Sequence, residues 1–478
     1  MRLLKPVAAG VLALGVLLGG AYAVAQSAAE AAVAEAIARL REALGPNAQI
    51  EHGTIRAEPI AGRVRITSLS FTPDSSNPEA FLVSDVVVDG LRPGGTGFTR
   101  LSLHATRILG WGQERGRIGS ITIEGLTIPP QPGFSLADVT LDSLDVLDVA
   151  WTLPDDSALH VGYLGVTGIG TDRPDRFEIA DLVMIGTRDL GFERVQIEFL
   201  DLEGARLLPI VLATIEGRPP PTPRGPSQGT IRGLLVRADG LDIVRLGEVT
   251  SSSDDEDRQP GTQRSTTTVT DLVIGLPPEA QEALNGLETI RLDITSETLI
   301  NQDRGDYEVE SFRVEAEGLG VIELTGRVTG ATLPPAGDPL TTGLLHGFTV
   351  SFQDAGLVAR ALAGAARLSG VTEAEMRAQV QQALAEIEAM LGVLPQAGAG
   401  PERKGGAEPP PPESKLGPQA APASPGGRSL REFLDRPGRI IITAQPPQPV
   451  AFAEMGGAMM GLGPVDLMAR LGLRIEYR

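Results

Sequence analysis

The chain has no cysteine among its 478 residues. Disulfides, thiolate metal ligands, a cysteine nucleophile and a lipid anchor attached through cysteine are all excluded, so packing and hydrogen bonds must supply the stability. Lysine is nearly missing, with Lys5, Lys404 and Lys415 as the whole supply. That removes most lysine-dependent chemistry, including Schiff bases and the phosphate-cradling lysine loop. Positive charge is short throughout. The 41 basic residues face 61 acidic ones, and a formal charge of −20 repels phosphate backbones, which excludes nucleic acid as a natural partner. There are four histidines, and none has a second histidine or a carboxylate at metal-motif spacing.

The apolar content of 42% and charged content of 21% belong to a chain that can build a core. The start reads Met1-Arg2-Leu3-Leu4-Lys5, and no charged residue follows from Pro6 to Ala25. Twenty residues at about 1.5 Å each reach roughly 30 Å, the thickness of a bilayer core. Retained, residues 1–25 anchor the chain with Arg2 and Lys5 in the cytoplasm. Cleaved, they are a signal peptide, with Ala23-Val24-Ala25 before Gln26 as the small-residue site. Both readings export the body across a bacterial-type inner membrane into the periplasm. Residues 26–46 form an amphipathic helix with Val33, Ile37, Leu40 and Leu44 on one face, closed by Gly45-Pro46.

From 47 to 351 the dominant period is two, as in Val64-Arg65-Ile66-Thr67, Ile121-Thr122-Ile123-Glu124 and Val139-Thr140-Leu141-Asp142. Alternation gives each strand one apolar and one solvated face, the antiparallel pattern, and no helical crossovers intervene. The predicted fold is mainly β: a long antiparallel, curved or groove-like sheet of on the order of 20 to 25 strands, with an N-terminal helix and a small C-terminal helical part. An acidic residue, Gly and Leu recur at strand ends in Val86–Leu91, Ile121–Leu126 and Val236–Leu241, a spacing that suggests stacked hairpins. Two stretches, Gly217–Gln228 and Thr250–Thr267, read as exposed loops.

Residues 352–395 return to a helical period, with Thr372 and Glu375 at capping-box spacing and Met376, Val380, Leu384, Ile387 and Leu391 as a stripe. Residues 396–428 are Pro, Gly, Ala and charge, the composition of a flexible linker. A strand–helix–strand segment at 429–478 returns to the main sheet.

Nothing in the chain singles out a catalytic, cofactor or metal site. His52, His104, His160 and His346 read as surface or strand residues. The acidic run Asp254–Asp257 lacks the alternating ligands, central Gly and closing Glu of a calcium loop. The glycines at 94–97 and 165–170 lack the order of a dinucleotide fingerprint and read as turns. Neither a Gly-x-Ser-x-Gly elbow nor a zinc-protease helix motif occurs. Met455, Met459, Met460 and Met468 read as core positions of a short helix, with an adaptable binding surface as the alternative.

The apolar start, the helix after it, the long run of alternating strands and the segment Tyr307–Val328 (YEVESFRVEAEGLGVIELTGRV) together resemble the AsmA-like envelope proteins. The resemblance covers roughly residues 1 to 350 and implies an inner-membrane anchor and a curved periplasmic sheet whose apolar face guides lipid. The helical pair and the linker are not features of that family. The expectation is a non-enzymatic envelope protein without cofactors, contacting phospholipid or another envelope lipid. A structural or protein-interaction module that binds other envelope proteins without lipid is the alternative.

Overall fold

The computed structural model describes residues 49–58, 62–72, 80–90, 97–110, 113–127, 140–152, 157–171, 174–186, 191–204, 226–255, 261–331, 342–392, 430–436, 438–452, 454 and 470–478. The export segment, the amphipathic helix, the linker and the methionines of the tail lie outside these residues. The chain divides into two compact units, residues 1–257 with 265–275, and residues 258–264 with 276–478.

The first unit contains β1 (Gln49–Glu51), β2 (Ile55–Glu58), β3 (Arg63–Thr72), β4 (Ala80–Asp89), β5 (Arg100–Gly110) and β6 (Gln113–Glu124). It continues through β7 (Ser143–Thr152), β8 (Ala158–Thr167), β9 (Arg176–Ile185), β10 (Arg194–Glu203), β11 (Ser227–Ala238), β12 (Leu241–Asp255) and, from Ser265 on, β13 (Gln263–Gly275). Both β1 and β2 pair with β3, and from β3 to β12 each strand pairs antiparallel with the next. The recurring acidic–Gly step serves the strand ends: Gly90, Gly125 and Gly240 all have positive φ. At β11–β12 both Asp239 (φ 50°) and Gly240 (φ 74°) are left-handed, as a two-residue hairpin twisted with its strands requires.

One predicted loop is corrected. Thr250–Asp255 is not a loop but the second half of β12, paired through Ser251↔Gly229, Ser252↔Gln228 and Ser253↔Ser227. The ladder supplies the backbone hydrogen bonds there, so a run polar on both faces is held in the sheet without any apolar periodicity to announce it. Likewise β11 begins at Ser227, inside the other predicted loop.

The core of this unit lies on one face of β1 to β6. Val86, Val88, Phe98 and Leu101 are fully buried, with Ile66, Ile108 and Leu126 at 1% exposure. The buried positions do not alternate strictly. They fall at 64, 66, 69, 71 on β3, at 81, 83, 86, 88 on β4, at 101, 103, 106, 108 on β5, where Ser102 and Gly110 are buried as well, and at 116, 118, 121, 123 on β6. Every strand thus places its inner residues at i, i+2, i+5 and i+7, with one extra residue in the middle. A single extra residue in one strand would turn half of its side chains to the wrong face. Here neighbours carry the same extra residue, and the pairing stays even on both sides of it.

The second unit holds α1 (Pro278–Ala283), β14 (Thr289–Asn301), β15 (Asp306–Ala316), β16 (Gly320–Thr329) and β17 (Leu344–Asp354). Then follow α2 (Leu357–Ser369), α3 (Glu373–Gly392), α4 (Leu430–Asp435), β18 (Arg439–Ala444), β19 (Val450–Ala451) and β20 (Leu473–Tyr477). Strands β14 to β17 form a meander, β17 takes both β18 and β19 along its other edge, and β20 pairs with β18. The twenty strands of the described chain are antiparallel wherever pairs are formed.

Asp354 ends β17 and starts α2, its carboxylate accepting from the N–H groups of Gly356 (3.1 Å) and Val358 (2.9 Å). Gly370, left-handed at φ 66°, closes α2. At α3 the capping box is formed: Glu375 accepts from Thr372 N and Oγ1 (both 2.8 Å), and Thr372 Oγ1 accepts from Glu375 N (3.3 Å). Leu362, Ala366, Met376 and Leu434 bury one another between α2, α3 and α4. Phe433 of α4 then sets its ring edge against Phe352 of β17 and Tyr477 of β20, which ties this helical cluster to the sheet.

Candidate functional site

The four histidines stand apart, all exposed: His52 between β1 and β2, His104 on β5, His160 on β8 and His346 on β17, where Nε2 lies 2.8 Å from Thr329 Oγ1. No group of three His, Cys, Asp or Glu able to hold a metal ion lies among the described residues. Asp254 and Asp255 end β12, Glu256 and Asp257 fall outside the described residues, and Gly165 to Gly170 end β8 and make the following turn.

What the fold does assemble is a surface. The apolar positions of β5 and β6 continue through the pairing onto the strands beyond the buried core. One row runs Leu103, Ile121, Val146, Leu164, Ile179, Leu200, Ile231, Val249. A second, on the far side of the extra residue, passes from Trp151 through Leu159, Met184 and Val195 to Val236 and Val244. No charged side chain occupies either row. The core cluster stops at β7, where Leu144, Val146, Val149 and Trp151 are only partly buried. On β8 to β12 every position of the two rows stays half-buried, while Val161 and Leu246, which lie between the rows, are buried at 6% and 5% exposure. Within the first unit, the substantial contacts of β7 to β12 are with neighbouring strands. This face is about 23 Å across, seven residue steps at about 3.3 Å each.

The opposite face is polar and pinned by side chains reaching between strands. Arg63 bonds Asp89 and Arg65 bonds Asp85, each at 2.7 Å, and Arg176 grips Asp201 through Nε (2.8 Å) and Nη2 (3.1 Å). Arg232 lies over the Phe199 ring at 4.6 Å. Tyr163 donates to Asp145 at 2.7 Å, and burial together with that carboxylate pushes its hydroxyl up to about 12. In the second unit, Glu323 receives Arg313 (2.7 Å) and Arg439, and Arg439 also bonds Ser351 at 2.9 Å. These ion pairs are half exposed and fix register more than they add stability.

The chemistry available to this arrangement is that of apolar contact. The rows were announced in the sequence by Ile, Leu and Val at strand positions, but their alignment across strands rests on pairings that no local pattern states. Among the described residues no helix is long and apolar enough to cross a membrane.

A protein-family model described as "Uncharacterized protein" matches residues 313–401 and 412–478, from the middle of β15 to the end of the chain. No curated protein and no solved structure matches.

Proposed function

We propose that this chain is a non-enzymatic component of the bacterial cell envelope that holds lipid acyl chains against the apolar face of β7 to β12. The observation that carries the reading is the pair of charge-free rows that continue past the buried core while their side chains stay half exposed. Contiguous apolar surface of this size on an acidic, soluble-type sheet marks a contact site. Its width of about 23 Å exceeds the roughly 15 Å reach of one leaflet, half a hydrocarbon core. The apolar segment before the sheet supports a place at or beyond the inner membrane, and the resemblance to AsmA-like proteins supports lipid as the occupant.

The reading is tested with an environment-sensitive fluorescent fatty acid and two neighbouring substitutions on β9. Leu182 lies in the apolar face, paired with Val161 and Ile197, whereas Val183 faces the other way, opposite His160 and Gln196. Leu182→Asp is expected to abolish the fluorescence gain and Val183→Asp to leave it. Equal effects of the two, or no binding by the unaltered chain, would turn the assignment toward a protein-interaction module.

A further inference from the structure

The extra residue that each strand from β3 to β12 carries falls on one line across the sheet. Reading the unregistered position of each pairing in turn gives Ser68, Ser84, Ala105, Gly119, Asp148, Gly162, Asp181, Glu198, Gly233 and Gly247, from β3 to β12. Asp271 of β13 extends it, since a Cβ on Gly247 would lie 3.0 Å from that of Asp271. Every odd-numbered strand holds its member in the left-handed region: Ser68 at φ 53°, Ala105 at 48°, Asp148 at 54°, Asp181 at 54°, Gly233 at 64° and Asp271 at 55°. Each left-handed residue with a side chain faces at least one small neighbour, Asp181 having Gly162 on one side and Glu198 on the other. A Cβ on Gly119 would meet that of Asp148 at 3.0 Å, and one on Gly162 that of Asp181 at 3.0 Å. At β10–β11 the roles exchange: Gly233 is left-handed, and Glu198 covers it, 2.3 Å from where its Cβ would stand.

We infer that this line is a crease built into the sheet, a cooperative conformational device in which left-handed residues on alternate strands face residues that give them room. A left-handed residue in one strand interrupts the pleat and bends the strand. Each apolar half-strand keeps its side chains on the same face only if the neighbour breaks its pleat at the same place. The crease therefore propagates from strand to strand, and five hairpins repeat one spacing. The second unit follows a different rule. There β15 and β17 carry isolated bulges at 309–312 and 345–347 against partners that alternate without a break. The inference concerns how the face is built and is independent of what binds it.

Both tryptophans, Trp111 and Trp151, belong to the first unit, so tryptophan fluorescence during heating of the full chain follows that unit alone. The double variants Asp148→Gly/Asp181→Gly and Asp148→Val/Asp181→Val are compared with His160→Gly and His160→Val, a position off the crease on β8. Glycine adopts the left-handed region freely and a β-branched residue does not. The glycine pair is expected to match or exceed the unaltered midpoint and the valine pair to fall by roughly 5–10 °C. At His160 the order reverses, because valine favours an ordinary strand and glycine weakens it. Valine equal to or better than glycine at the two aspartates would overturn the crease. Gly162→Ala provides the second arm: its loss of midpoint should shrink when Asp181→Gly removes the facing Cβ. The same loss in both backgrounds contradicts the pairing rule.

Discussion

Thr106 occupies a slot of the inner face between Leu103 and Ile108 with 4% exposure, and its hydroxyl has no hydrogen-bond partner among the described residues. A buried hydroxyl left unsatisfied costs about 1–3 kcal/mol, and valine has nearly the same shape. Thr106→Val should therefore raise the unfolding free energy by about 1 kcal/mol or more, measured by denaturant titration of the first unit. Tyr163 makes the opposite use of its hydroxyl. Its ionisation sits above the ordinary tyrosine value of 10.0, at about 12, held there by burial and then by Asp145. The neutral form is thus favoured in the folded chain, and this contribution is complete below pH 10 and disappears as pH rises toward 12. Spectrophotometric titration should show a late phenol transition that vanishes in Tyr163→Phe. From the sequence, Thr106 in Leu101-Ser-Leu-His-Ala-Thr-Arg-Ile108 reads as an outward residue, because a strict period of two assigns it to the wrong face.

At the scale of elements, local chemistry was legible wherever it is self-contained. Thr372 and Glu375 satisfy each other's neighbouring backbone without help from the rest of the fold, so the spacing alone identified the start of α3. Thr372→Ala should cost about 1 kcal/mol of helix stability, read from the circular dichroism of the second unit. Hydrogen bonds from Thr372 hold the Glu375 carboxyl below its ordinary 4.5, so its support is present above that pH and lost as pH falls through the lowered value. Strand existence was legible for the same reason, since Ile121-Thr-Ile-Glu and Val64-Arg-Ile-Thr declare their faces locally. The mid-strand shift was not, because each half of a strand alternates correctly and only the four-position spacing joins them. The end of β12 was missed on different grounds: Ser251 to Asp255 has no apolar face, and only pairing with β11 holds it in the sheet.

At the scale of the molecule, the mainly antiparallel architecture was legible from period and from missing crossovers, and so was the return of the C-terminal strands to the sheet, whereas their place beside β17 depends on contacts across a long sequence separation. The candidate site shares this limit. Leu164, Ile179, Leu200 and Ile231 are ordinary strand residues one by one, and become a surface only when three strand registers bring them into line. The formal charge of −20 disfavours polyanionic partners. The most direct test is native mass spectrometry of the chain from residue 27 onward, purified from a bacterial periplasm without detergent. The account predicts phospholipid bound at a defined stoichiometry and lost in Leu182→Asp. A clean mass of the bare chain, with no lipid in any preparation, would contradict it.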